Sequence, residues 1–140
     1  MPEIGQVRAR LETACELTGL LGAAREAFSL LLAACCDCEE RAAELSAAFA
    51  FASAAAAEGR LIIASAPSLP TDLGSQTSYG GRVDGDLEKI ADGLAGLAAV
   101  LAERLSAAGR QAQDPGDYAA CQDAAAQAAQ IYELLALDER

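Results

Sequence analysis

Histidine, asparagine and tryptophan are absent from this 140-residue chain, and Lys89 is its one lysine. Each absence closes off a class of chemistry. Without histidine there is no imidazole base and no neutral nitrogen ligand. Ser-His-Asp and Cys-His nucleophile arrangements cannot be built within one chain, and histidine-based zinc motifs are excluded as well. No phosphate-cradling glycine-rich loop follows a strand pattern. Basic residues are few: ten Lys and Arg stand against 21 Asp and Glu, a formal net charge of −11. Nucleic-acid binding rests on cations that neutralise phosphates, and docking on anionic lipid rests on the same charges. Neither partner is expected. An acidic chain stays soluble and attracts basic surfaces.

What the chain has in abundance is alanine, at 35 of its 140 positions. Alanine is the strongest helix former because it loses no side-chain entropy in a helix. With only three Phe and no Trp, the expected core is Leu and Ala between closely spaced helices. The length suits one domain. The composition is that of a GC-rich bacterial genome. The N-terminal Met1-Pro2-Glu3-Ile4-Gly5 lacks the basic and apolar regions of a signal peptide. The apolar stretch 42–64 carries Glu44, Glu58 and Arg60, which suits a buried helix better than a membrane span. A cytoplasmic location is the expectation, with all five cysteines reduced.

Periodicity predicts helix almost throughout, at least 70% of the chain, and no sheet. Segment one covers Glu3 to Cys36 as a single helix, with Ile4, Val7, Leu11, Ala14, Leu21, Phe28, Leu32 and Cys35 on one face and weak points at Thr18 and Arg25. Segment two covers Cys38 to Ala64, with Leu45, Phe49, Ala52, Ala56 and Ile63 inward. Neither Gly nor Pro separates the two segments. Asp37 with Glu40 resembles a capping box, and a break at Asp37 is expected because an unbroken helix would form a rod of roughly 90 Å. Pro67, Pro70, Gly74, Gly80 and Gly81 mark residues 65–84 as an irregular, flexible linker. Segment three, from Asp86 to Gln113, carries the cleanest stripe: Leu87, Ile90, Leu94, Leu97, Leu101 and Leu105. Asp114 then caps segment four, with Pro115 in its first turn. Its predicted seam is Tyr118, Cys121, Ala125, Ala128, Tyr132 and Leu135. The expected fold is all-α: an antiparallel four-helix bundle of two helical hairpins, running up-down-up-down across the linker.

One cluster invites a chemical reading. Cys35, Cys36 and Cys38 put three thiols within four residues, and soft thiolates can bind zinc or copper. In an up-down-up-down bundle the turns at Asp37 and Asp114 share an end, so Cys121 is the candidate fourth ligand. Cys15 is about 30 Å away along the helix. The competing reading is that free cysteines are small buried hydrophobes, and one C-x-x-C pair is half of a zinc signature. Asp84-Gly85-Asp86 starts like a calcium loop, but Leu87, Glu88 and Lys89 do not continue it. No cofactor is implied. The absence of catalytic equipment favours a non-catalytic interaction, scaffold or self-assembly module. The expected partner is another protein or a second copy, because an alanine-rich bundle buries little area per residue and segments one and two can offer apolar faces. The alternatives are a thiolate metal-binding or thiol-redox protein, and an acidic inhibitor or immunity-type protein that covers a basic partner.

Overall fold

A computed structural model describes residues 2–41, 46–68 and 86–137. Helix accounts for 90% of these residues, and no strand occurs among them. The helices are α1 (Pro2–Thr13), α2 (Leu17–Arg41), α3 (Ser46–Ala64), α4 (Leu87–Gln111) and α5 (Pro115–Leu137). The all-helical class follows from the alanine and leucine content, as expected.

Segment one is two helices, not one. The chain leaves the helix at Ala14, Cys15 and Glu16, where neither Gly nor Pro stands. Tertiary contacts hold this break. Arg104 of α4 donates from Nε to the Leu11 carbonyl at 3.0 Å and from Nη2 to the Ala14 carbonyl at 2.6 Å. Carbonyls at a helix end lack intrahelical partners, and the guanidinium fork supplies them. Arg10 of α1 also pairs with Glu26 of α2. Val7 and Leu11 are buried, and α1 packs against both α2 and α4.

The predicted break at Asp37 does not occur. α2 runs through it to Arg41. Asp37 pairs with Arg41 one turn later at 3.6 Å, an (i, i+4) contact that supports a continuing helix where a capping role would have ended it. Residues 42–45, including Leu45, lie outside the described residues, and α3 begins at Ser46. Most of the predicted linker, residues 69–84 with Tyr79 and Asp84, lies outside them too, as does Gly85.

The remaining helices match their patterns closely. Ile90, Leu94, Leu97, Leu101 and Leu105 are buried along α4, and Leu87 is partly buried. Asp86 caps α4 by accepting from the Glu88 amide at 3.1 Å. Asp114 accepts from the Gly116 amide at 2.7 Å at the start of α5. Tyr118 and Tyr132, placed on the α5 seam by their spacing, are instead exposed. Asp117, Ala120, Ala124 and Ile131 take inward positions together with the predicted Cys121, Ala125, Ala128 and Leu135. Half of the buried residues of α5 are alanine, so the two largest side chains did not mark its centre.

α2 packs on α3, α3 on α5, α5 on α4, and α4 on α2. The closest approach is at Gly59 of α3. A Cβ there would stand 2.3 Å from Cε1 of Phe28, which is fully buried on α2. Only glycine lets the aromatic ring lie against the α3 backbone. By contrast, a Cβ at Gly5, Gly19 or Gly22 would meet only open space.

Leu17 and Leu20 at the start of α2 share a half-open cavity of about 230 Å³ with Gln111 and Ala112 at the end of α4. The α4–α5 turn is therefore beside the beginning of α2, not beside its Cys38 end.

Candidate functional site

Cys35 and Cys38 are three residues apart on the buried face of α2, and both are fully buried. Cys36 is exposed, because each residue turns a straight helix by about 100°. One helix cannot aim all three sulfurs at one ion. Cys121 is buried on α5, its Cβ 3.2 Å from where a Cβ on Gly109 of α4 would lie. Gly109 is close to the α4–α5 turn, and Cys38 is 21 residues, or about 31 Å, along α2 from Leu17. The structure therefore keeps Cys121 apart from the cluster. Among the described residues, no group of three or more Cys, Asp or Glu side chains is placed to hold a metal ion. Cys15 is exposed at the α1–α2 junction and donates to the Thr13 carbonyl.

The electrostatics of the buried thiols oppose thiolate chemistry. Burial pushes the Cys38 thiol up from its ordinary value of 9.0 to about 11. That rise includes a smaller contribution from Asp37 and a partial offset from Arg41. Cys35 is pushed up more strongly, first by burial and then by Cys38, Cys36 and Glu39. Burial and Asp117 raise Cys121 as well. A reactive cysteine needs the reverse, a depressed pKa and solvent access.

Two results follow. A thiol reagent at pH 8 should label Cys15 and Cys36 quickly, and Cys35, Cys38 and Cys121 only as the protein unfolds. Fast labelling of more than two sites on folded protein would contradict this placement. The second concerns stability against pH. A thiol whose folded pKa is raised binds its proton more tightly in the folded state. Its contribution is complete below pH 9 and is lost as pH rises through the folded value. Urea unfolding should therefore give a lower stability at pH 10 than at pH 8.

The other candidate is a surface. On α3, the exposed positions Ala47, Phe51, Ala54, Leu61 and Ala64 are accompanied by exposed Glu58 and Arg60, while Ala50 and Ala57 are half-exposed between them. Phe51 is 62% and Leu61 66% exposed. Soluble helices ordinarily turn a polar face outward, but α3 is apolar on both sides. The sequence pattern identified its inner face, Phe49, Ala52, Ala56 and Ile63, all of which are buried. Phe51 and Leu61 fall off that face, and this was the signal available for the outer one. Tyr118 and Tyr132 on α5 are the other exposed large apolar side chains among the described residues.

By length and composition alone, α2 and residues Ala47–Ala64 of α3 are apolar enough to cross a bilayer. Just over half of the α2 window is buried inside the protein, as expected of a core helix.

Fold and site together define an all-α protein whose buried thiols are pushed away from the thiolate form and whose most unusual surface is an apolar helix face. Compared with known proteins, the chain matches no family model, no curated protein and no solved structure.

Proposed function

We propose that this chain is a non-catalytic helical module that assembles with a second copy of itself through the outer face of α3. The observation that carries the proposal is the exposure of Phe51 and Leu61 on a helix with apolar residues on both sides. Exposed apolar side chains rimmed by charged ones, here Glu58 and Arg60, mark interaction sites. The face also suits a two-fold pairing, in which residue i meets j and j meets i. Phe51 and Leu61 are each five residues from Ala56, so two antiparallel copies of α3 would set each Phe51 against the other copy's Leu61. Ala54 and Ala57 lie between them and allow close approach.

Charge opposes this pairing. Each copy carries a net −11, and Glu58 is within the face. Salt screens exposed charges, so self-association should strengthen as salt is added, whereas capture of a basic partner would weaken. Leu61→Glu and Phe51→Glu each add charge to the face and should abolish association while leaving the helix signal intact. Light scattering on the two variants tests this; an unchanged dimer would place the interface elsewhere.

The same reading includes the finer architecture. α2, α3, α5 and α4 form a ring in which every neighbour is antiparallel, and α1 is added outside it. Three placements support this arrangement: the start of α2 beside the end of α4, Ser68 after α3 bonded to Asp117 in the first turn of α5, and the short α4–α5 turn. The order is then up-down-down-up, with one crossover connection between the hairpins. A cytoplasmic location with reduced thiols belongs to the same proposal.

A further inference from the structure

We infer that α1 is an exchangeable arm: it leaves its own groove between α2 and α4 by straightening the hinge at Ala14–Cys15–Glu16, and it docks in the same groove of a second copy. The inference goes beyond the α3 interface and does not depend on it. It starts from a conflict between sequence and structure. The three- and four-residue spacing continues from Ile4 into α2, and the hinge contains no residue that breaks a helix. Ala14 is in fact the strongest helix former. The chain nevertheless bends there. Local preference favours one continuous helix, and tertiary contacts hold two.

Those contacts are few, and most can be remade between copies. α1 fully buries Val7 and Leu11 and partly buries Ile4. Ile4 and Arg8 lie over Gly93 and Gly96 of α4, where an added Cβ would be 3.4 Å from Ile4 Cδ1 and 3.3 Å from Arg8 Nη1. A half-open cavity of about 230 Å³, lined in part by Ala14, Cys15, Leu17, Arg104 and Ala108, lies beside the hinge. Exchange of an identical element gives a dimer with the same contacts, and short hinges favour it.

Arg104 decides between the two forms. The carbonyls of Leu11 and Ala14 that it binds are the ones freed by the bend. In a continuous helix they would accept from the amides of Cys15 and Thr18 four residues on, and Arg104 would lose both acceptors. Removing the guanidinium therefore favours the straight, exchanged form. A proline at position 15 forbids it, because proline lacks the amide and clashes with the preceding turn.

The test uses full-length chains carrying Leu61→Glu, so that the α3 face does not contribute. One chain carries Ile4→Cys and the other Gly93→Cys, with exposed Cys36 replaced by Ser and Cys15 by Ala in both. They are unfolded together, refolded at high concentration and oxidised. The expected product is a covalent dimer containing one chain of each kind. Arg104→Ala in both chains should raise its yield several-fold, and proline at position 15 in place of Ala should reduce it to background. If the proline chains fail to fold, the Arg104→Ala comparison still decides. A yield no greater than from chains lacking the new cysteines, with Arg104 present or absent, overturns the inference. Such a failure would leave the α3 interface standing, and loss of the α3 interface would leave this product unaffected.

Discussion

Phe28→Ala should lower the free energy of unfolding by about 3–5 kcal/mol, the usual cost of emptying an aromatic site in a core. Phe28 is fully buried, and its ring occupies the space that a side chain at position 59 would take. Gly59→Ala puts a methyl group 2.3 to 2.6 Å from three ring atoms, a separation that forces the ring or α3 to move. Overpacking of this kind costs about 1–3 kcal/mol, and the helix preference of Ala over Gly returns about 1 kcal/mol. The two sites are therefore coupled. In a Phe28→Ala chain, Gly59→Ala should be neutral or stabilising, because the clash has gone and the helix preference remains. Urea unfolding followed by circular dichroism measures all four corners of the cycle. Additive effects would mean that Phe28 and Gly59 do not pack as described.

Asp117→Ala should be the most damaging change to any charged residue. Asp117 is 2% exposed and is the one buried charged residue among those described. Its carboxylate accepts from the Ser68 amide at 2.9 Å and from the Ser68 hydroxyl at 2.5 Å, and it sits in the first turn of α5, where the helix dipole favours an anion. Alanine strands the donors of Ser68 and removes hydrogen bonds to a charged group, each worth about 1.5–3 kcal/mol. Ser68 is half-buried, so water recovers part of this, and a total loss of about 2–4 kcal/mol is expected. Asp117→Asn keeps one acceptor oxygen and should cost less, and Ser68→Ala removes only the hydroxyl bond and should cost least. The order Ala, Asn, then Ser68→Ala is the result to check by thermal unfolding. An Asp117→Ala chain as stable as the parent would remove the α3–α5 tie at Ser68.

The stripe of α4 and the cap of α5 were legible in the sequence because local signals set them. Leucines at helical spacing face inward whatever packs on them, and an Asp-Pro pair starts a helix with its own side chain. The Ser68–Asp117 tie joins residues 49 apart in the chain, and no local pattern announces it. The bend at Ala14–Glu16 was hidden for the same reason: its partner, Arg104, is 90 residues from Ala14. Asp37 misled in the other direction. A capping residue and an (i, i+4) ion-pair partner look alike in a sequence, and Arg41 decided which role Asp37 took. The cysteine cluster was legible as a cluster but not as a geometry. Its chemistry depended on whether the helix broke at Asp37, and the unbroken helix left Cys35 and Cys38 inward with Cys36 outward. Of the outer face of α3, only Phe51 and Leu61 stood out, because alanine serves equally well inside and outside a helix.

Self-assembly through α3 is the central claim, and the mass of the unmodified protein in solution tests it most directly. Light scattering across a range of concentrations, at low and at high salt, should give a mass that rises towards twice the 14.3 kDa of one chain. The rise should come at lower concentration when salt is high, as screening removes the repulsion between two acidic copies. A mass that stays at one chain length at every concentration and salt level would contradict the account.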